Sequence, residues 1–373
     1  MHPKFMFNRI SKLASVVTLV AFMGYSFTFS SCNKKGENSS KVTTTNCYAP
    51  TDDSAALNNN VGKNEPQRTL TSVVTVADMN GVEGSSAIEV VFNENTEFFT
   101  VNDPATVAVV KEAFSNGKPL QISFNPWKGT LLKAEYATGQ QAEALSGRVL
   151  DKGAETAVSL RASTITDEVI DNPSELGTIN LSDTGLNNLI PDFATAQLMF
   201  NYIAKQCCAI PGPYAIDYCI PFQYCIDGCY ARAHKMCWII NKRYKYGTKK
   251  VFSFATPTST YKLSVQGQKW GGCCIRWWYH VAPLVTVKTP TGPKAYVFDP
   301  AMFNQPVLLS VWLHAQENPV CSGSFIPKVT MYNIRPTASY APSGTSGLVF
   351  STDPTFSATN NTLYNYRNLI TCP

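Results

Sequence analysis

The chain has 373 residues, 44% of them hydrophobic and 15% charged, with a formal net charge of +5 and twelve cysteines. It contains no internal repeat, which excludes a solenoid or propeller array, and its cysteines include no paired C-x-x-C set. The modest net charge hides a division: residues 48–186 carry 9 Lys and Arg against 19 Asp and Glu, whereas residues 187–373 carry 16 against 6. An acidic segment ahead of a basic one is the pattern of two parts of one chain that opposite fields steer and hold together. The basic run Lys242, Arg243, Lys245, Lys249 and Lys250 is spaced like a solvated helix end and loop, so no nucleic-acid partner is expected.

In chain order, a basic start (Lys4, Arg9, Lys12) precedes an apolar stretch over 13–29 and then Ser30-Ser31-Cys32. Residues 1–32 therefore form an export signal rather than a spanning helix. Cysteine at that boundary, followed by a polar spacer, points to lipid attachment at Cys32 in the envelope of a Gram-negative cell, with the membrane a partner through that anchor alone. Ordinary signal cleavage with a free secreted product is the alternative. Residues 33–66 are rich in Asn, Ser, Thr and Asp and form a flexible tether.

Residues 67–160 alternate strand-like runs at 87–92, 97–101 and 120–124 with one helical run over 104–115. Asp103 is the expected N-cap of that helix and Pro104 its first residue. The result is a small α+β domain. Residues 161–186 have linker composition, and exposed loops of this kind are preferred cleavage sites. Pro191-Asp192 then starts a helix running through Lys205. A second helix is expected from Cys229 to about Arg243, followed by strands at 251–255, 275–287 and 295–299.

The stretch Asp227-Gly228-Cys229-Tyr230-Ala231-Arg232-Ala233-His234-Lys235-Met236 carries the most chemistry. It sets a cysteine after a glycine turn at the head of a helix, where a thiol is most easily made a thiolate. His280 and Asp299 lie on the strands that follow, in the order Cys, His, Asp. His234 is close in sequence, but five residues of helix turn it about 140° away from the Cys229 side chain. His314 beside Trp312 and Leu313 is expected to be structural, and Asp227 to cap the helix. Strand alternation puts Trp278 and His280 on one face, making Trp278 the candidate wall of a substrate slot. Core packing is the alternative for that tryptophan, and a strand end before Pro300 is the alternative for Asp299.

Setting aside Cys32 and Cys229, the other ten cysteines of an exported protein are expected in disulfides. Nine of them fall in 187–373, so either Cys47 pairs with one of these or a thiol stays free. A zinc cluster between Cys219 and Cys237 is the competing reading. No metal or organic cofactor is expected.

The run from Asp227 to Met236, the pair Cys273-Cys274 ahead of Tyr279-His280-Val281-Ala282, the Asp299-Pro300 strand end and Leu189-Ile190-Pro191-Asp192 together resemble the bacterial protein-glutaminases, which hydrolyse the side-chain amide of glutamine within proteins. The resemblance covers roughly residues 187–373. It implies a papain- or transglutaminase-like domain, with a cysteine-bearing helix packed on an antiparallel sheet. It also implies Cys229, His280 and Asp299 as catalytic residues, glutamine-containing proteins or peptides as substrate, and 67–160 as a pro-segment keeping a zymogen inactive. By the same resemblance the strand around Thr96-Glu97-Phe98 lies nearest Cys229, with Glu97 offering a product-like carboxylate to the cleft. A transglutaminase or cysteine peptidase using the same triad, and a non-enzymatic adhesin or binding module, are the alternatives.

Overall fold

Helix α1 (Pro104–Asn116) begins where its sequence signals place it. The Asp103 carboxylate accepts from Thr106 N at 2.8 Å, and Gly117 closes the helix in a left-handed conformation at φ 69°. The computed structural model describes residues 68–146, 150–151, 158–161, 185–210, 218–256, 260–343 and 349–372. The export signal, Cys32, the tether, Cys47 and nearly all of the 161–186 linker lie outside them.

Residues 70–146 build one layer pair. Strands β1 (Leu70–Val74), β2 (Val76–Gly81), β3 (Ile88–Phe92), β4 (Asn95–Val101), β5 (Leu120–Asn125) and β6 (Thr130–Tyr136) form a sheet in the order β1-β5-β6-β4-β3-β2. Helix α1 buries Val107, Val110 and Ala113, spaced by three, and a short α2 (Gly139–Ser146) follows β6. Val90, Phe92, Phe99, Ile122 and Phe124 fill the core of this unit.

The second half is organised around α3 (Phe193–Ala204), capped by Asp192, and α4 (Cys229–Ile239), which continues as a π turn over Ile240–Tyr244. Strands β7 (Leu150–Asp151), β8 (Val158–Arg161), β9 (Lys249–Phe254), β10 (Tyr261–Gln266), β11 (Cys274–Trp277), β12 (Tyr279–Thr289), β13 (Gly292–Val297), β14 (Val307–Leu308), β15 (Ile326–Pro327), β16 (Met331–Pro336), β17 (Ser339–Pro342) and β18 (Phe350–Thr352) complete the sheets, with α5 (Leu309–His314) and α6 (Ser357–Tyr366). The main sheet, β14-β13-β12-β9-β16-β8, is antiparallel throughout, and α4 packs on its β12 strand. Two three-stranded sheets, β11-β10-β15 and β17-β18-β7, flank it.

The far end of the 67–160 segment behaves differently from the rest: β8 adds an edge strand to the main sheet through β16, and β7 pairs with β18. The described residues belong to one compact unit. Ala77, Val91 and Phe98 of the first sheet are buried in the same apolar cluster as Phe222, Cys229 and Trp277 of the second half.

Among the described residues, three disulfides join Cys208 to Cys219, Cys273 to Cys372 and Cys274 to Cys321. Full pairing, the sequence expectation, does not hold: among the described residues Cys207, Cys225 and Cys237, like Cys229, are buried cysteines outside these disulfides. Buried thiols pack as small hydrophobes, so parity alone does not reveal them. Because Cys219 is bonded to Cys208, the proposed zinc cluster loses one of its ligands. No group of metal-ligating side chains occurs among the described residues. No helix among those residues is long and apolar enough to cross a membrane.

Candidate active site

Gly228 makes the turn that starts α4. Its φ is 80°, and a Cβ there would meet the Tyr366 ring at 2.8 Å, so both the backbone angle and the close approach of α6 call for glycine. Gly228 is also the N-cap, with no side-chain capping bond, which corrects the expectation that Asp227 caps the helix. The fully buried Asp227 carboxylate instead accepts from Tyr366 OH at 2.6 Å and Tyr230 OH at 3.2 Å through Oδ2, and from Thr96 through Oδ1.

Cys229 follows, 2% exposed and unbridged. Burial pushes its thiol pKa far up, the Arg232 charge and the Val281 N–H work against that rise, and the Asp227 and Asp299 charges add to it. The covered state therefore favours the thiol over the thiolate.

His280 sits on β12, the strand against which α4 packs. Its Nε2 is 2.8 Å from Asp299 Oδ2, and its buried Nδ1 has no hydrogen-bond partner. Asp299 stands just past β13 and accepts a second bond, from Trp312 Nε1 at 3.0 Å. Burial alone would raise the Asp299 pKa; the His280 charge and the two hydrogen bonds outweigh it and leave the carboxyl below its ordinary value. Trp312, on α5, was not identified from sequence. Nothing local marks an indole thirteen positions after an aspartate as its donor.

The aromatic neighbours of His280 also differ from expectation. The chain breaks between β11 and β12 at Trp278, so simple alternation fails across it. Trp277, not Trp278, stacks on the imidazole, with centroids 4.3 Å apart and planes within 8°, and Trp312 lies at 5.4 Å. Trp278 turns toward the first sheet instead. His234 is held apart from this group, with Nδ1 2.8 Å from Lys250 Nζ and Nε2 3.2 Å from Asp353 O.

The turn between β3 and β4 covers the site. Trp278 Nε1 donates to Phe92 O and Asn95 O, Tyr279 OH to Asn93 O, Tyr230 OH to Glu94 O, and Trp278 N to Thr96 O. Thr96 returns a backbone bond to Asp227 at 2.9 Å and a hydroxyl bond to Ile226 O at 3.0 Å. Glu97 is buried beside Thr96, but its carboxyl lies against Gly129, and the bonds to the nucleophile turn come from Thr96.

A family described as Glutaminase matches residues 196–316, a span containing Cys229, His280, Asp299 and Trp312. Among solved structures, a mutant of pro-protein-glutaminase is 25% identical, covering 82% of this chain and 95% of its own with a TM-score of 0.58. Pro-protein-glutaminase itself is 24% identical over 80% and 93%, with a TM-score of 0.57. Protein-glutaminase from Chryseobacterium proteolyticum is 32% identical, covering 50% of this chain and 93% of its own, with a TM-score of 0.42. No curated protein matches.

Proposed function

Because the chain belongs to the protein-glutaminase family, we propose that Cys229, His280 and Asp299 hydrolyse the side-chain amide of protein-bound glutamine to glutamate and ammonia. The Cys229 thiolate attacks the amide carbon, His280 gives its proton to the departing ammonia, and the resulting thioester is hydrolysed by a water that His280 activates. Asp299 holds the imidazole tautomer and stabilises the imidazolium, and Trp312 holds Asp299.

The observation that carries this reading is the asymmetry of the imidazole. One nitrogen is committed to Asp299, and the other is buried without a partner on the strand that packs against the cysteine helix. That is the arrangement a proton shuttle needs.

Residues 67–160 are the pro-segment in this reading, 187–373 the catalytic domain, and the 161–186 linker the place of cleavage. The protonated thiol and the covered cleft describe the inactive state. Export through residues 1–32, with lipid attachment at Cys32, completes it.

The test is ammonia release from a glutamine-containing protein by the linker-cut enzyme, with and without an added amine. Ammonia with no incorporated amine and no chain cuts is expected, and Cys229→Ser should release none. Amine incorporation would identify a transglutaminase, and chain cuts a peptidase.

A further inference from the structure

Arg232 lies three residues after Cys229 on α4, only 2% exposed. Its Nη1 reaches back along the helix and donates to Tyr224 O and Asp227 O, both at 2.7 Å, so one guanidinium nitrogen ties together the loop that leads into the nucleophile. Its Nη2 is buried with no partner. Among the described residues it forms no ion pair.

For stability alone this is a poor place for a cation. An unpaired buried charge is costly, and a positive group in the first turn of a helix opposes the macrodipole. The same two features create an electropositive spot at the head of α4, one turn from a thiol on which the Asp227 and Asp299 carboxylates act in the opposite sense. At the thiol, Arg232 is the cation that works against those two carboxylates.

We infer that Arg232 is a positioning residue that holds the Tyr224–Asp227 loop beneath the nucleophile and supplies the charge that makes Cys229 a thiolate once the pro-segment has left. The inference rests on Cys229 being the nucleophile. A structural arginine would support the loop by its hydrogen bonds alone, whereas this role requires its charge, and the two can be separated.

The experiment follows Cys229 alkylation by iodoacetamide against pH in the linker-cut protein, by peptide mapping, with Cys229→Ser as blank. Arg232→Gln should move the alkylation midpoint up by about one pH unit or more, and the acid limb of kcat/KM with it, while Arg232→Lys, which keeps the charge, stays within about half a unit of wild type. A wild-type midpoint in Arg232→Gln would overturn the inference. So would an Arg232→Lys midpoint shifted up by a full unit, and that variant decides the matter if Arg232→Gln does not fold. Retained activity in Cys229→Ser would instead remove the underlying reading of the nucleophile.

Discussion

The turn that covers the cleft and the cluster beneath it are built by opposite rules. Over 92–96 the catalytic half bonds mainly to backbone carbonyls, those of Phe92, Asn93, Glu94, Asn95 and Thr96, through indole, phenol and amide donors. The cluster of His280, Asp299 and Trp312 is bonded side chain to side chain. Carbonyls are common to every residue, so the cover depends on the path of the backbone and tolerates many sequences. The cluster tolerates few, because each atom it uses belongs to one residue type.

The largest effects should fall on the cluster. Cys229→Ala and His280→Ala should each lower turnover by about 10⁴-fold or more, measured as ammonia release after linker cleavage. His234→Ala should leave turnover nearly intact but lower stability by about 1–3 kcal/mol, since it leaves Lys250 with one partner fewer. The opposite pattern would make His234 the base. Burial, and then the Lys250 charge, depress the His234 pKa. Its folded value lies below the unfolded value of about 6.5, so wild-type stability falls as pH drops below that point, and His234→Ala should lose this acid-side slope in denaturation curves.

Next come the residues that hold the base. Asp299→Asn should cost about 10³- to 10⁴-fold in kcat by leaving the wrong imidazole tautomer. Trp312→Phe removes only the second bond to Asp299 and should cost about tenfold. Equal losses would mean that Trp312 does more than orient the carboxylate.

The cover should show smaller effects. Thr96→Val keeps the backbone bonds and removes both hydroxyl bonds, so the pro-segment of the linker-cut protein should dissociate about 10- to 30-fold more readily, read from the onset of activity on dilution. No change would confine the cover to backbone recognition.

The same contact should depend on pH. Burial, and then the Asp227 charge, raise the Glu97 pKa well above its ordinary value of 4.5. The raised folded value means that the cover is at full strength below about pH 4.5 and weakens as pH rises through the folded value. Glu97→Gln should flatten that dependence. Salt should matter little, because the ion pair between the first sheet and β10, Glu89 with Lys262, is largely buried and so weakly screened, and Ala77, Val91 and Phe98 add apolar packing.

Local signals in the sequence determined a good deal here. Asp103 and Asp192 cap the helices they were expected to cap, because an N-cap is decided within four residues. Cys229 at a glycine turn, and the strands bearing His280 and leading to Asp299, were legible because strand periods and turn residues are local too. Tertiary structure decided what depends on chain geometry over longer range. The break at Trp278 exchanged the roles of two adjacent tryptophans. Asp227 lost its role as a cap to Gly228 and found Tyr366, 139 residues away. The bond from Trp312 to Asp299 and those from Arg232 to the Tyr224 and Asp227 carbonyls depend on side-chain direction, and neither leaves a trace in the spacing of residues along the chain. Which cysteines pair was likewise decided by the fold, since Cys273 and Cys274, adjacent in sequence, bridge to Cys372 and Cys321.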